Sequence, residues 1–473
     1  MKKTNVRHRI VATVLKGLVL SGVVSAALAA SPDPFAGNNT VYPAPKDWEH
    51  KAFRTSNYNY PSQPVAAPWL TLRPQVALSK KTAPAYIAAA KKYIERDLSG
   101  LVNDPLHWSP TQAGWYDMPW GGQGATMSNG RVDPSTGREA LLGSYTGQIL
   151  QSISYPVDQR PTVKSFQNHA VVYYNDVAAR QLGAIWKNPF KPDLSAAQFP
   201  EGSIVVKVEG VTLTEDQWPS KKGPPVLKGS SVSYLYRPTV AAMENEPDPT
   251  KRTPVVTPIR FLQMAVRIKD RVASPETGWV FIAFVYDSRS SAATVWDRAT
   301  AVGAMWGNDP QFATLPSGKP DKGELTQTWV NADLPDFVSY GLGWGGRLAG
   351  PLDVGLRHNV VTVSGRRYET GNSFPASSCV SCHGAAQYPF VANLYPSPNM
   401  LFPEDGGQFL FFDPGSAQWA QWFQNRPGNK AMTGRGRDGI IAADYDMMLT
   451  FALLTANGSA GADAFIRPRL PGH

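Results

Sequence analysis

The chain has 473 residues, with 46 basic against 37 acidic side chains for a formal charge of +9, and two cysteines. Five of the basic residues (Lys2, Lys3, Arg7, Arg9 and Lys16) and none of the acidic ones lie in the first 29 positions, so the rest carries +4. Spread over more than 440 residues, that excess gives no sign of nucleic acid as a partner, although it leaves room for an acidic one.

The charged start is followed by an apolar run from Ile10 to Ala30 holding one lysine, and Ala27-Leu28-Ala29 reads A-x-A. This pattern predicts a secretory signal peptide over 1–29, cut after about Ala29. Lys16 interrupts the run, and the apolar stretch beyond it is shorter than the ~20 residues that a spanning helix needs. No later segment is apolar enough to span a bilayer, so the mature protein is expected to be exported and soluble, in the periplasm. Its length has room for two or three domains.

Residues 83–98, "APAYIAAAKKYIERDL", have apolar positions at helical spacing and predict a helix. The loop 115–131 is rich in glycine and aromatics; its "GGQG" lacks the GK[ST] ending of a phosphate loop. Residues 165–186, "SFQNHAVVYYNDVAARQLGAIW", predict a second helix stopped by Asn188-Pro189. Beyond Pro192 the texture changes: 202–213, 231–240, 259–270 and 278–287 are β-branched, aromatic and bounded by turn residues, which predicts antiparallel strands. A hairpin strand is expected over 357–370. Two more helices are expected, one over 413–425 with Asp413 as cap and Pro414 at its first position, and one over 438–456. The expected class is α+β: a mixed, largely helical region (30–190), an antiparallel β-rich region (191–370) and a helical C-terminal segment (371–473).

That last segment holds both cysteines, in Cys379-Val380-Ser381-Cys382-His383. C-x-x-C-H is the attachment pattern of c-type haem. Thiols at this spacing can add across the two vinyl groups on one porphyrin edge, which leaves the adjacent histidine as proximal iron ligand. Three other readings compete. A structural zinc site wants four ligands, and no cysteines remain to supply them. A thioredoxin-like pair would follow a βαβ pattern, whereas this one follows Pro375 and a run of small residues. A disulfide across so short a loop would remove little entropy.

An exported chain with "CVSCHG" resembles the c-type cytochromes, which implies one covalent haem held by Cys379, Cys382 and His383. A second resemblance covers roughly 195–395. There "FPEGSIVVKVEGVTL", "FLQMAVRIKD" and "GWVFIAFVYD", then a late C-x-x-C-H followed by "YPFV", are similar to the β-sheet cytochrome c-prime group. That group includes hydroxylamine-oxidising relatives; a small antiparallel sheet covers the haem, and a lysine can cross-link to it. This chain departs from the pattern in the roughly 90 residues between Asp287 and Cys379 and in its long tail. No cross-linking lysine is therefore carried over, and Lys207 is expected to face outward from its strand.

The iron's sixth ligand separates an electron carrier from a ligand-binding site. Met432, 49 residues past His383 in a glycine-rich loop, is the candidate metal ligand; Met400, 17 residues on, fits less well. Met447 and Met448 are expected to pack in a helical core. His358 lies on an expected strand, His169 in an expected helix, and His107 has no site-like neighbours. The primary expectation is a monohaem cytochrome passing single electrons between periplasmic redox partners. The alternative is a haem enzyme or sensor whose open distal site takes a small nitrogen or oxygen species, and a third reading makes the β-rich block a docking module.

Overall fold

The computed structural model describes residues 32–39, 41–48, 56–124, 132, 134, 136–155, 157–246, 248–353, 360–363, 366–369, 377–388, 415–417, 419–432 and 440–458. The class is α+β, as expected. Its centre is an antiparallel sheet of eight strands: β1 (Tyr145–Gln151), β2 (Ser165–Tyr174), β3 (Ile204–Val211), β4 (Val232–Arg237), β5 (Val255–Lys269), β6 (Trp279–Tyr286), β7 (Ala299–Met305) and β8 (Thr328–Val330). Their order is β1-β2-β3-β5-β6-β7-β8, with β4 beside the first half of β5. Strands β1 and β2, from the mixed segment, hydrogen-bond into the same sheet as the β-rich segment.

The central strands read as nearly unbroken apolar runs because both faces are covered. On one face Tyr173, Val206, Val266 and Ile282 form a row across β2, β3, β5 and β6. They pack with the long helix α1 (Ala83–Asn103). Tyr86, Ile87, Ala90, Ile94, Leu98 and Leu101 of α1 recur at the i, i+3/i+4 spacing of one helix face, and all are buried. Burying each isoleucine or leucine there is worth about 1.5–3 kcal/mol.

The opposite face carries three successive rows of facing residues. They are Ala170-Glu209-Gln263-Val285, Val172-Lys207-Ala265-Ala283 and Tyr174-Val205-Arg267-Phe281. Three charged residues and a glutamine thus sit in the middle of an otherwise apolar surface. That surface is covered by the short helix α3 (Cys379–His383) and the last helix α4 (Met447–Gly458).

Three expectations are corrected. Residues 165–186 are not one helix: β2 ends at Tyr174, and α2 (Asp176–Ile185) begins after Asn175, whose side chain accepts from the Ala178 amide at 3.0 Å. The run "AVVYY" satisfies strand and helix periods alike, and the asparagine cap decides where the helix starts. The last helix starts at Met447, not 438. Before it, β12 (Ile441–Ala442) pairs with β11 (Gln387–Tyr388), and Asp444 and Tyr445 take φ of +47° and +62°, which no helix accommodates. The 413–425 helix reduces to a 3-10 turn at Trp419–Phe423, where three residues per turn set Trp419 and Trp422 on one side; Asp413 and Pro414 lie outside the described residues. The expected hairpin is present as β9 (Val360–Val363) paired with β10 (Arg366–Glu369).

Candidate functional site

Helix α3 is a single turn, started by a capping box. The Ser378 hydroxyl accepts from the Ser381 amide at 3.2 Å, and the Ser381 hydroxyl accepts from the Ser378 amide at 2.8 Å. Positions i, i+3 and i+4 of a helical turn share a face, so Cys379, Cys382 and His383 point together while Val380 is buried behind them. All three line one cavity of about 360 Å³. That is cofactor-sized. Its floor is the polar-centred sheet face, and Met447, Met448 and Phe451 of α4 line its wall.

The imidazole of His383 is oriented by the backbone. Its Nδ1 lies 2.9 Å from the Tyr445 carbonyl oxygen, which can only accept, so Nδ1 carries the proton and Nε2 keeps a free lone pair. Burial, aided by the charge of Arg267, holds the pKa of His383 down to about 3, so the ring is neutral. Phe281 packs on it at a centroid distance of 5.1 Å. Two consecutive left-handed residues turn the Tyr445 carbonyl toward the ring, a backbone cost of about 1–3 kcal/mol each. The turn is held by the Asp444 carboxylate, which accepts from the Phe199 amide (2.8 Å), the Trp279 indole (2.8 Å) and Lys269 (2.6 Å). On the other side Arg267 donates to the Tyr445 carbonyl and pairs with Asp446 at 2.6 Å. Asp446 in turn accepts from the Leu449 amide at 2.8 Å, capping α4.

The cysteines are thiols, not thiolates. Burial, reinforced by the negative charge of Asp353, pushes Cys382 up to about 12 and Cys379 higher still. A disulfide-exchange pair needs the opposite shift. Among the described residues no group of three or more His, Cys, Asp and Glu side chains is arranged to hold a metal ion. A porphyrin brings four nitrogen ligands of its own and asks the chain for one or two more.

Lys207 corrects the sequence reading. It faces the cavity, with Nζ 2.8 Å from Glu209 Oε1 and 2.7 Å from Asp353 Oδ1. The strand has no outer face, so a lysine on it must find anions. Its partner two residues on, in "KVE", shares its side of the strand by period-two alternation. That spacing was the available signal for Glu209. Burial works against the charge of Lys207, but the two carboxylates outweigh it and hold the amine protonated.

Met432 lies elsewhere. It is buried with Trp344, Trp419, Trp422 and Phe423, its amide donating to Gln387 at 2.7 Å, and it is not among the described residues lining the cavity. The cavity thioethers are those of Met447 and Met448. His169 is on β2, buried, with burial holding its pKa down to about 3; His107 is on the surface beside Asp104. His358 and Met400 fall outside the described residues.

A comparison with protein families, one with curated proteins and one with solved structures each return no match. The site therefore stands on its own geometry: two thiols and a neutral, pre-oriented imidazole on one helical face, over a covered cavity.

Proposed function

We propose that this chain is an exported monohaem c-type cytochrome, with the haem held covalently by Cys379 and Cys382 and its iron by His383, carrying single electrons between periplasmic redox partners. The observation that carries this reading is the His383 imidazole, neutral and fixed with Nε2 unprotonated, beside both thiols on a cofactor-sized cavity. When bound, the haem supplies a one-electron couple between ferric and ferrous iron. The chain's part is to orient the ligand through Tyr445, exclude water with the sheet face and α4, and set the local charge through Lys207, Glu209, Asp353 and the Arg267–Asp446 pair. No described helix is long and apolar enough to cross a membrane. The resemblance to the β-sheet cytochrome c-prime group is a reason for the reading, although no cross-linking lysine is carried over from it. A sheet face lines the cavity, and it carries one lysine among the described lining residues, Lys207, the residue type that can cross-link in that group.

A second reading, an enzyme or sensor with an open distal site for a small nitrogen or oxygen species, is favoured by one observation. The expected ligand Met432 packs away from the cavity, while ionisable groups face into it. The absorption spectrum of the ferrous protein with and without carbon monoxide separates the two: an electron carrier with both axial positions filled keeps its spectrum, and a large shift supports the second reading. Met432→Ala is expected to leave that spectrum unchanged while costing about 2–5 kcal/mol of stability, the usual result of emptying a core position. A changed iron spectrum in this variant would restore Met432 as a ligand.

A further inference from the structure

Resting on the haem reading above, we propose that Glu209 is a redox-linked proton site: it takes one proton from solvent when the cavity gains an electron and releases it on oxidation. The balance is simple. One electron arrives from an external one-electron donor, one proton from water, and the Glu209 carboxylate becomes a carboxylic acid, so the net charge of the cavity is the same before and after.

The geometry sets this up. Glu209 is 3% exposed and sits on the sheet face that forms the cavity floor. Its oxygens are held by Lys207 at 2.8 Å, by Gln263 Nε2 at 2.5 Å and by Asn168 Nδ2 at 3.4 Å. Lys207 and Gln263 also serve Asp353, at 2.7 and 2.5 Å. One ammonium therefore faces two carboxylates, and the cluster is one positive charge short of neutral. The other charged or titratable groups among the described residues lining the cavity do not fill the gap. Arg267 is matched by Asp446, the His383 imidazole is neutral, and the cysteines are neutral whether as thiols or thioethers. Glu209 is the buried member, while Lys207 and Asp353 are 28% and 25% exposed, so the unbalanced charge is costliest on Glu209. Burial and Asp353 accordingly push Glu209 up to about 7, where a proton is exchangeable at neutral pH. An added electron strengthens the preference for the proton, and by reciprocity the proton favours the electron.

The test is the reduction potential of the haem-bearing protein as a function of pH, in the wild type and in Glu209→Gln. A one-proton, one-electron coupling makes each pH unit a tenfold change in the equilibrium, about 59 mV per unit for a one-electron couple. The wild type is expected to show this slope around neutral pH and the variant to lose it. A flat wild-type profile overturns the proposal, as does an unchanged slope in Glu209→Gln, which would assign the proton to the haem propionates. Proton release or uptake by the wild type in weakly buffered solution needs no variant: one proton per electron is expected, and none overturns it. A chain that carries no haem overturns the underlying reading, whereas a haem-bearing chain with no coupled proton overturns this inference alone.

Discussion

With alanine at both Cys379 and Cys382, haem that resists extraction under denaturing conditions is expected to fall to background, while each single variant keeps one link. The two thiols lie on one face of α3 and line the same cavity, so under the proposed reading each would supply one bond to a common porphyrin edge. The double variant retains His383 and the sheet floor, so residual haem would be bound through the iron alone and leave on unfolding. Haem-dependent staining of the denatured chain reads the outcome directly. Staining equal to the wild type would place the attachment elsewhere.

Asp446→Ala is expected to destabilise the fold by about 3–5 kcal/mol, the cost of leaving a buried charge without its partner. Asp446 is fully buried and pairs at 2.6 Å with Arg267, whose side chain is only 7% exposed. The same carboxylate accepts from the Leu449 amide and from the Tyr174 hydroxyl at 3.1 Å. The variant therefore loses an ion pair and a helix cap together. Asp446→Asn keeps the cap and the shape but not the charge, so it isolates the ion pair and is expected to recover only the cap's share, about 1 kcal/mol. Chemical denaturation measures both. A loss under about 0.5 kcal/mol in Asp446→Ala would mean that Arg267 is compensated by another group. Arg267 also donates to the Tyr445 carbonyl that orients His383, so the haem spectrum of the alanine variant is expected to broaden or shift as well.

How much of this could be read from the residues divides along physical lines. Strands β3 to β6 were legible because β-branched runs end in turn residues, and α1 because its apolar positions recur at one helical face. Strand β2 was not, since coverage on both faces removes the alternation that separates a strand from a helix. The Cys379, Cys382 and His383 cluster was legible from spacing alone, because one helical turn brings it together. The groups that shape its surroundings were not: Lys207 meets Asp353 across 146 positions, and Arg267 meets Asp446 across 179. The position of Met432 was open to error for the same reason. Distance along the chain places it in a loop before the last helix, but the tryptophan cluster claims it.

The intact mass of the mature chain after denaturation tests the central claim most directly. The account predicts a mature chain heavier by one haem, with both thiols unavailable to alkylation. A chain of unmodified mass, with Cys379 and Cys382 free or joined to each other, would contradict it.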